Sequence, residues 1–154
     1  MTSEMTEVSF HFNVPDKLAY ACRLLRKAVN GGARVVVAGD HQTLTQLDSA
    51  LWTFSPLDFV PHCFVDGPGM LVDNSPVLLG HRGQPDAAMV TGLPTQVLLN
   101  LGHDTPEGFE RFERLIELVG LGDDDRQSAR VRWKHYAGRG YAITRHDLAT
   151  AVSA

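Results

Sequence analysis

The segment that most restricts the fold is short: Arg34-Val35-Val36-Val37-Ala38, a β-branched run that ends at Gly39-Asp40. A strand with no polar face needs cover on both sides, which is the situation of an inner strand in a parallel sheet. The neighbouring segments can supply that cover. Upstream, Leu18, Ala21, Cys22, Leu25, Ala28 and Val29 recur at three- and four-residue steps. They predict the inner stripe of a helix that begins after Pro15-Asp16 and stops at Gly31-Gly32, where a positive φ is expected. Downstream, Leu44, Leu47, Leu51 and Trp52 predict the inner side of a second helix from about His41 to Trp52.

Ahead of the first helix, Val8-Ser9-Phe10-His11-Phe12-Asn13-Val14 alternates apolar and polar residues and reads as a strand. Strand, helix, strand, helix is the order of an α/β domain with right-handed crossovers. Further strands are expected at Val77-Leu78-Leu79 and from Gln96 to Leu101. Phe59 to Val65 reads as an extended piece broken by Pro61 and unsuited to the middle of a sheet. Ser55-Pro56-Leu57-Asp58 reads as a turn, and glycine and proline mark loops around Gly67 and Gly83. Thr105-Pro106-Glu107 predicts a helix start with Phe109, Phe112, Leu115 and Ile116 facing inward, although Ile116 to Val119 also fits a brief strand. A last helix is expected from Asp124 to Tyr136, opened by Asp123-Asp124-Asp125 and ended by Gly138 to Gly140. Together these elements predict a three-layer α/β sandwich with a largely parallel, Rossmann-like open sheet. One domain should span residues 1–154, with 1–6 as a flexible N-terminal extension and 148–154 as a flexible tail.

Composition excludes several function classes. With 44% hydrophobic and 21% charged residues the chain can build a core, so it is not disordered. No apolar run approaches the ~18 residues of a membrane span, and the N-terminus lacks a secretory signal, so a cytoplasmic protein without membrane contact is expected. Cys22 and Cys63 show no metal-binding spacing, and the seven histidines show no HxxxH or HxH pattern, so neither a metal nor another cofactor is expected. Neither GxGxxG nor GxxxxGK[ST] is present to hold a nucleotide. His62 and Cys63 are neighbours in an extended segment, so their side chains point to opposite faces and form no direct dyad. No catalytic residue is therefore expected. The alternative is a small α/β enzyme or nucleotide-binding protein that uses the loops near Gly39-Asp40 and His62-Cys63.

Charge is distributed unevenly. The formal net charge is −4, yet the window from Arg126 to Arg145 holds six cations and no acid, which leaves −10 for the remainder. Such a body repels a long nucleic-acid backbone, so contact with nucleic acid is expected only through a partner. Within the window, Arg126, Arg130 and Lys134 are spaced i, i+4, i+8, with Trp133 on the adjoining stripe. A cationic ladder beside an indole suits an acidic peptide whose apolar end lies against the ring while one arginine grips a carboxylate. Trp52, Phe54 and Phe59 form a second aromatic group, readable either as core or as an interface.

Two segments carry a family resemblance. Leu47-Asp48-Ser49-Ala50-Leu51-Trp52, followed by Phe59-Val60-Pro61-His62, resembles an LDxALW…FVPH signature; Ala129-Arg130-Val131-Arg132-Trp133-Lys134-His135-Tyr136 resembles an ARxRYKxY helix. Both signatures belong to the chi subunit family of the bacterial DNA polymerase III holoenzyme, and the order of elements along nearly the whole chain is similar too. The pattern departs at Trp133, where the family has tyrosine, and at Arg126, where it has lysine; Asp66 to Asp86 matches poorly. The resemblance implies a non-catalytic adaptor. Its partners would be the acidic, phenylalanine-ended C-terminal tail of the single-stranded-DNA-binding protein (SSB) and the psi subunit of the clamp loader. Carried over by position, tail binding falls on Val119, Arg126, Arg130, Trp133 and Lys134, and the psi interface on Trp52 and Phe59.

Overall fold

The computed structural model describes residues 6–53, 60–64, 75–80, 96–106 and 108–149. Among these, seven strands form one sheet: β1 (Glu7–Val14), β2 (Val35–Ala38), β3 (His62–Phe64), β4 (Val77–Leu79), β5 (Val97–Asn100), β6 (Arg114–Gly120) and β7 (Ile143–Asp147). Their spatial order is β3-β4-β2-β5-β6-β1-β7, and every neighbouring pair is parallel. Helices α1 (Lys17–Asn30) and α2 (His41–Thr53) cover one face, and α3 (Asp123–Gly138) covers the other, which gives the three-layer α/β sandwich.

The valine run occupies the position its composition demands. All four residues of β2 are buried between β4 and β5. Val35 and Val37 pack into the layer under α1 and α2, and Val36 and Ala38 into the layer on the α3 side. The predicted stripe of α1 buries Ala21, Cys22 and Leu25; the Asp16 carboxylate caps its first turn by accepting from the Ala19 N–H at 3.1 Å, and Gly32 adopts φ +85° just beyond its end. In α2, Leu44, Leu47 and Leu51 are buried as expected, but Trp52 is turned outward and is 61% exposed. On a helix, Leu51 and Trp52 are about 100° apart, and the first of them already fills the inner stripe. Phe54, Phe59, the turn at residues 55–58 and most of the glycine-rich middle lie outside the described residues.

The expected helix after Thr105 is replaced by a single 3₁₀ turn at Phe109–Arg111 followed by strand β6. Phe109 and Phe112 do turn inward, as their spacing requires, but Leu115 to Val119 lies between β5 and β1 and is buried on both faces. A run covered on both sides loses its helical periodicity, and the competing strand reading is the correct one. Thr6, at the inner end of the expected N-terminal extension, is buried, and its hydroxyl donates to the Phe112 carbonyl at 2.6 Å. At the far end, β7 joins β1 as an edge strand, so the first and last strands lie side by side.

Candidate functional site

The C-terminal ends of β6 and β1 and the outer side of α3 enclose a cleft of about 680 Å³. Phe10 and Phe12 of β1 and Val119 of β6 supply its apolar floor, with Ala129 and Trp133 on the helix wall. Phe10 and Trp133 touch with ring centroids 5.0 Å apart, which leaves the indole half-buried, with one side in the core and the other in the cleft. Arg126 and Arg130 rise from α3, and Arg145 reaches in from β7. Among the described residues no aspartate or glutamate lines the cleft.

Each arginine is held differently. Arg126 donates from Nη2 to the Asn13 Oδ1 at 3.2 Å. Asn13 in turn donates to Asp147 at 2.8 Å and adopts φ +60°, a backbone conformation that asparagine tolerates better than most residues. Arg130 is exposed and is paired with no carboxylate among the described residues. The Arg145 guanidinium carbon lies over the Phe12 and Trp133 rings, 5.7 Å from each centroid, within cation–π range of both while the side chain stays exposed. Lys134 is exposed on α3 but is not among the residues that line the cleft, because each four-residue step along the ladder rotates a further ~40° about the helix axis.

One member of the charged window does not belong to the surface. Arg132 is only 1% exposed and turns into the protein, where its Nε donates to Glu117 of β6 at 3.0 Å and its Nη1 to the His103 carbonyl at 2.8 Å. Tyr136 and Asn100 also donate to Glu117. Burial pushes the Glu117 carboxyl above its ordinary range, against the opposing pull of Arg132, Tyr136 and Asn100. The surface patch therefore consists of Arg126, Arg130, Lys134, Arg139 and Arg145. At the head of α3, burial raises the Asp125 carboxyl, but the Gly120 N–H and the Lys17 ammonium outweigh it and hold it below its usual range. This ties the helix start to the end of β6 and fixes the mouth of the cleft.

Elsewhere, His62 places Nδ1 2.7 Å from the Val60 carbonyl and Nε2 2.9 Å from Asp48, while Cys63 packs toward the opposite layer. The two side chains diverge as strand geometry dictates. Asp40 accepts the Thr43 N–H at 2.8 Å and so serves as the cap of α2. Among the described residues no group of three His, Cys, Asp or Glu side chains is placed to hold a metal ion, and no helix is long and apolar enough to cross a membrane.

Residues 5–144 match the family described as DNA polymerase III chi subunit, HolC. The chain belongs to that family. It is also 32% identical over 150 residues to the DNA polymerase III subunit chi of Pseudomonas aeruginosa, covering 94% of this chain and 98% of that protein. As a chi subunit it is an accessory component of the DNA polymerase III replication machinery. Of the positions that the chi resemblance marks for tail binding, Val119, Arg126, Arg130 and Trp133 line the cleft. Of the two marked for psi, Trp52 is exposed at the end of α2, its ring 5.4 Å from that of His62. Phe10, Phe12, Asn13, Gly120, Ala129 and Arg145 complete the lining and were not marked for tail binding, although Arg145 belongs to the cationic window. Their contribution depends on the parallel register of β1 with β7, which sets Phe10 opposite Arg145. The alternating Phe10 and Phe12 were the one available signal.

Proposed function

We propose that this chi subunit binds the acidic C-terminal tail of SSB in the cleft between α3 and β1, and links SSB to the clamp loader through a psi subunit docked at the exposed end of α2. The role is binding without catalysis, and it places the protein in the cytoplasm with the replication machinery. One observation carries the proposal: among the described residues, three arginines and no carboxylate surround an apolar floor beside a half-buried indole. A peptide ending in phenylalanine presents the matching groups, with an aromatic ring for the floor, a terminal carboxylate for Arg130 and side-chain acids for the remaining cations. Contacts at such an open site are individually modest, so the affinity is moderate and falls as salt rises.

The test is a calorimetric titration with a short aspartate-containing peptide ending in phenylalanine, repeated with its terminal carboxylate amidated. Binding that weakens at least tenfold on amidation supports specific capture of a chain end. Equal binding of the two peptides, or none of either, rejects it.

A further inference from the structure

We propose that Arg145 reads a side-chain carboxylate upstream of the bound chain end, while Arg130 takes the terminal one; this rests on the tail-docking reading above. Arg145 lies outside the helical cation ladder and enters from the opposite wall of the cleft. Its guanidinium is ordered by the faces of Phe12 and Trp133 rather than by an acid, and it is paired with no carboxylate among the described residues. A cation held near two rings keeps its N–H groups unsatisfied by any acid, so it is available to a carboxylate at a reduced cost in side-chain entropy. Arg126 is partly committed to Asn13, which leaves Arg130 and Arg145 as the open cations of the two walls.

Position decides which of the two does what. Among the described residues β7 is the edge strand of the sheet, and no further strand pairs beyond it. A chain whose terminal ring rests on the Phe10, Val119 and Trp133 floor can leave the cleft over this open side, and its preceding residues then pass Arg145. A terminal carboxylate alone engages one wall; an acidic residue upstream is needed to engage both. Arg145 thus makes the cleft selective for an acidic segment over any other chain that ends in phenylalanine.

The full chain is titrated with four peptides ending in phenylalanine: aspartate-bearing or the asparagine counterpart, each with a free or an amidated terminus. Arg145→Gln should weaken the aspartate peptide by about fivefold, the scale of one partly exposed ion pair. It should leave the asparagine peptide unchanged and preserve the full penalty of amidation. Arg145→Lys, which keeps the charge but not the planar fork of donors, should lie between. Equal loss on the aspartate and asparagine peptides, no loss on either, or disappearance of the amidation penalty overturns the assignment while tail docking stands. If the unsubstituted protein does not distinguish the aspartate peptide with a free terminus from the amidated asparagine control, tail docking fails and this assignment with it. Thermal unfolding of Arg145→Gln checks that the variant is folded; if it is not, the decision passes to Arg145→Lys, where equal loss on the aspartate and asparagine peptides, or no loss on either, rejects the proposal.

Discussion

Arg130 and Arg132 are two residues apart on one helix and live in different solvents. Arg130 stands in water with no carboxylate beside it, whereas Arg132 is sealed against Glu117 with Tyr136 and Asn100 completing the carboxylate's partners. Two helical residues subtend about 200°, so neighbours of identical chemistry necessarily face opposite sides. One arginine is taken into the core and the other faces water. Proximity of charges along the chain says nothing of this division. What decides it is the location of the carboxylate, which for Arg132 lies on a strand and not on its own helix.

The comparison can be broken most forcefully from inside. Arg132→Ala leaves Glu117 buried and unpaired, and should destabilise the fold by roughly 3–5 kcal/mol in denaturant unfolding. Combined with Glu117→Leu, the loss should shrink sharply, because the uncompensated charge has gone; a double variant as unstable as the single one would show that packing, not charge, holds this layer. Arg130→Ala is the mirror experiment. It should lower affinity for the acidic peptide by more than tenfold, about 2 kcal/mol at a hot-spot position, while the unfolding midpoint barely moves. Comparable effects of both substitutions on stability would erase the distinction between the two faces.

Tryptophan offers a parallel contrast. Trp133 packs against Phe10, whereas Trp52 is largely in solvent. Trp52→Ala should change stability by less than about 0.5 kcal/mol and spare peptide binding, yet weaken a psi partner measurably in a pull-down or titration. A cooperative loss of fold would make Trp52 structural despite its exposure.

The smallest effect lies on the sheet face opposite the cleft. Burial, reinforced by the neighbouring His146, lowers the His11 pKa to about 4. Unfolding returns the imidazole to its ordinary value near 6.5, so between these limits the unfolded chain binds more protons and stability falls as pH drops from about 6.5 to about 4. His11→Gln should flatten the melting temperature across this window; an unchanged slope would assign the titration to other groups. The ring is partly open to water, so the slope is shallow.

Much of this was legible because it is periodic. The β2 run, the α1 stripe with its Asp16 cap and the first-turn acids of α3 announce their elements through spacing, although α3 is capped by Gly122 with no side-chain bond, and the cationic ladder with Trp133 pointed to the helix that walls the cleft. Two things were hidden for one physical reason. The placement of Arg132 and the second wall of the cleft both depend on which strands become neighbours, and strand adjacency in a parallel sheet is set by distant crossovers. Glu117 did carry a clue: a lone acid inside the apolar stretch Leu115 to Val119 has to find a cation when that stretch is buried. The same apolar stretch misled the helix expectation at Thr105, since a strand covered on both faces keeps no periodicity to read.

The neighbours of β1 are β6 and β7, which pair Glu7 with Arg114 and Val8 with Ile143. β1 is therefore seated between two strands that both lie far along the chain from it. Loop closure over such separations is slow, so these pairings are expected to form late. A chain stopped short of β7 would lack both the sheet's final edge and one bank of the cleft, so a prematurely terminated product should be unable to compete with the finished protein for its partner.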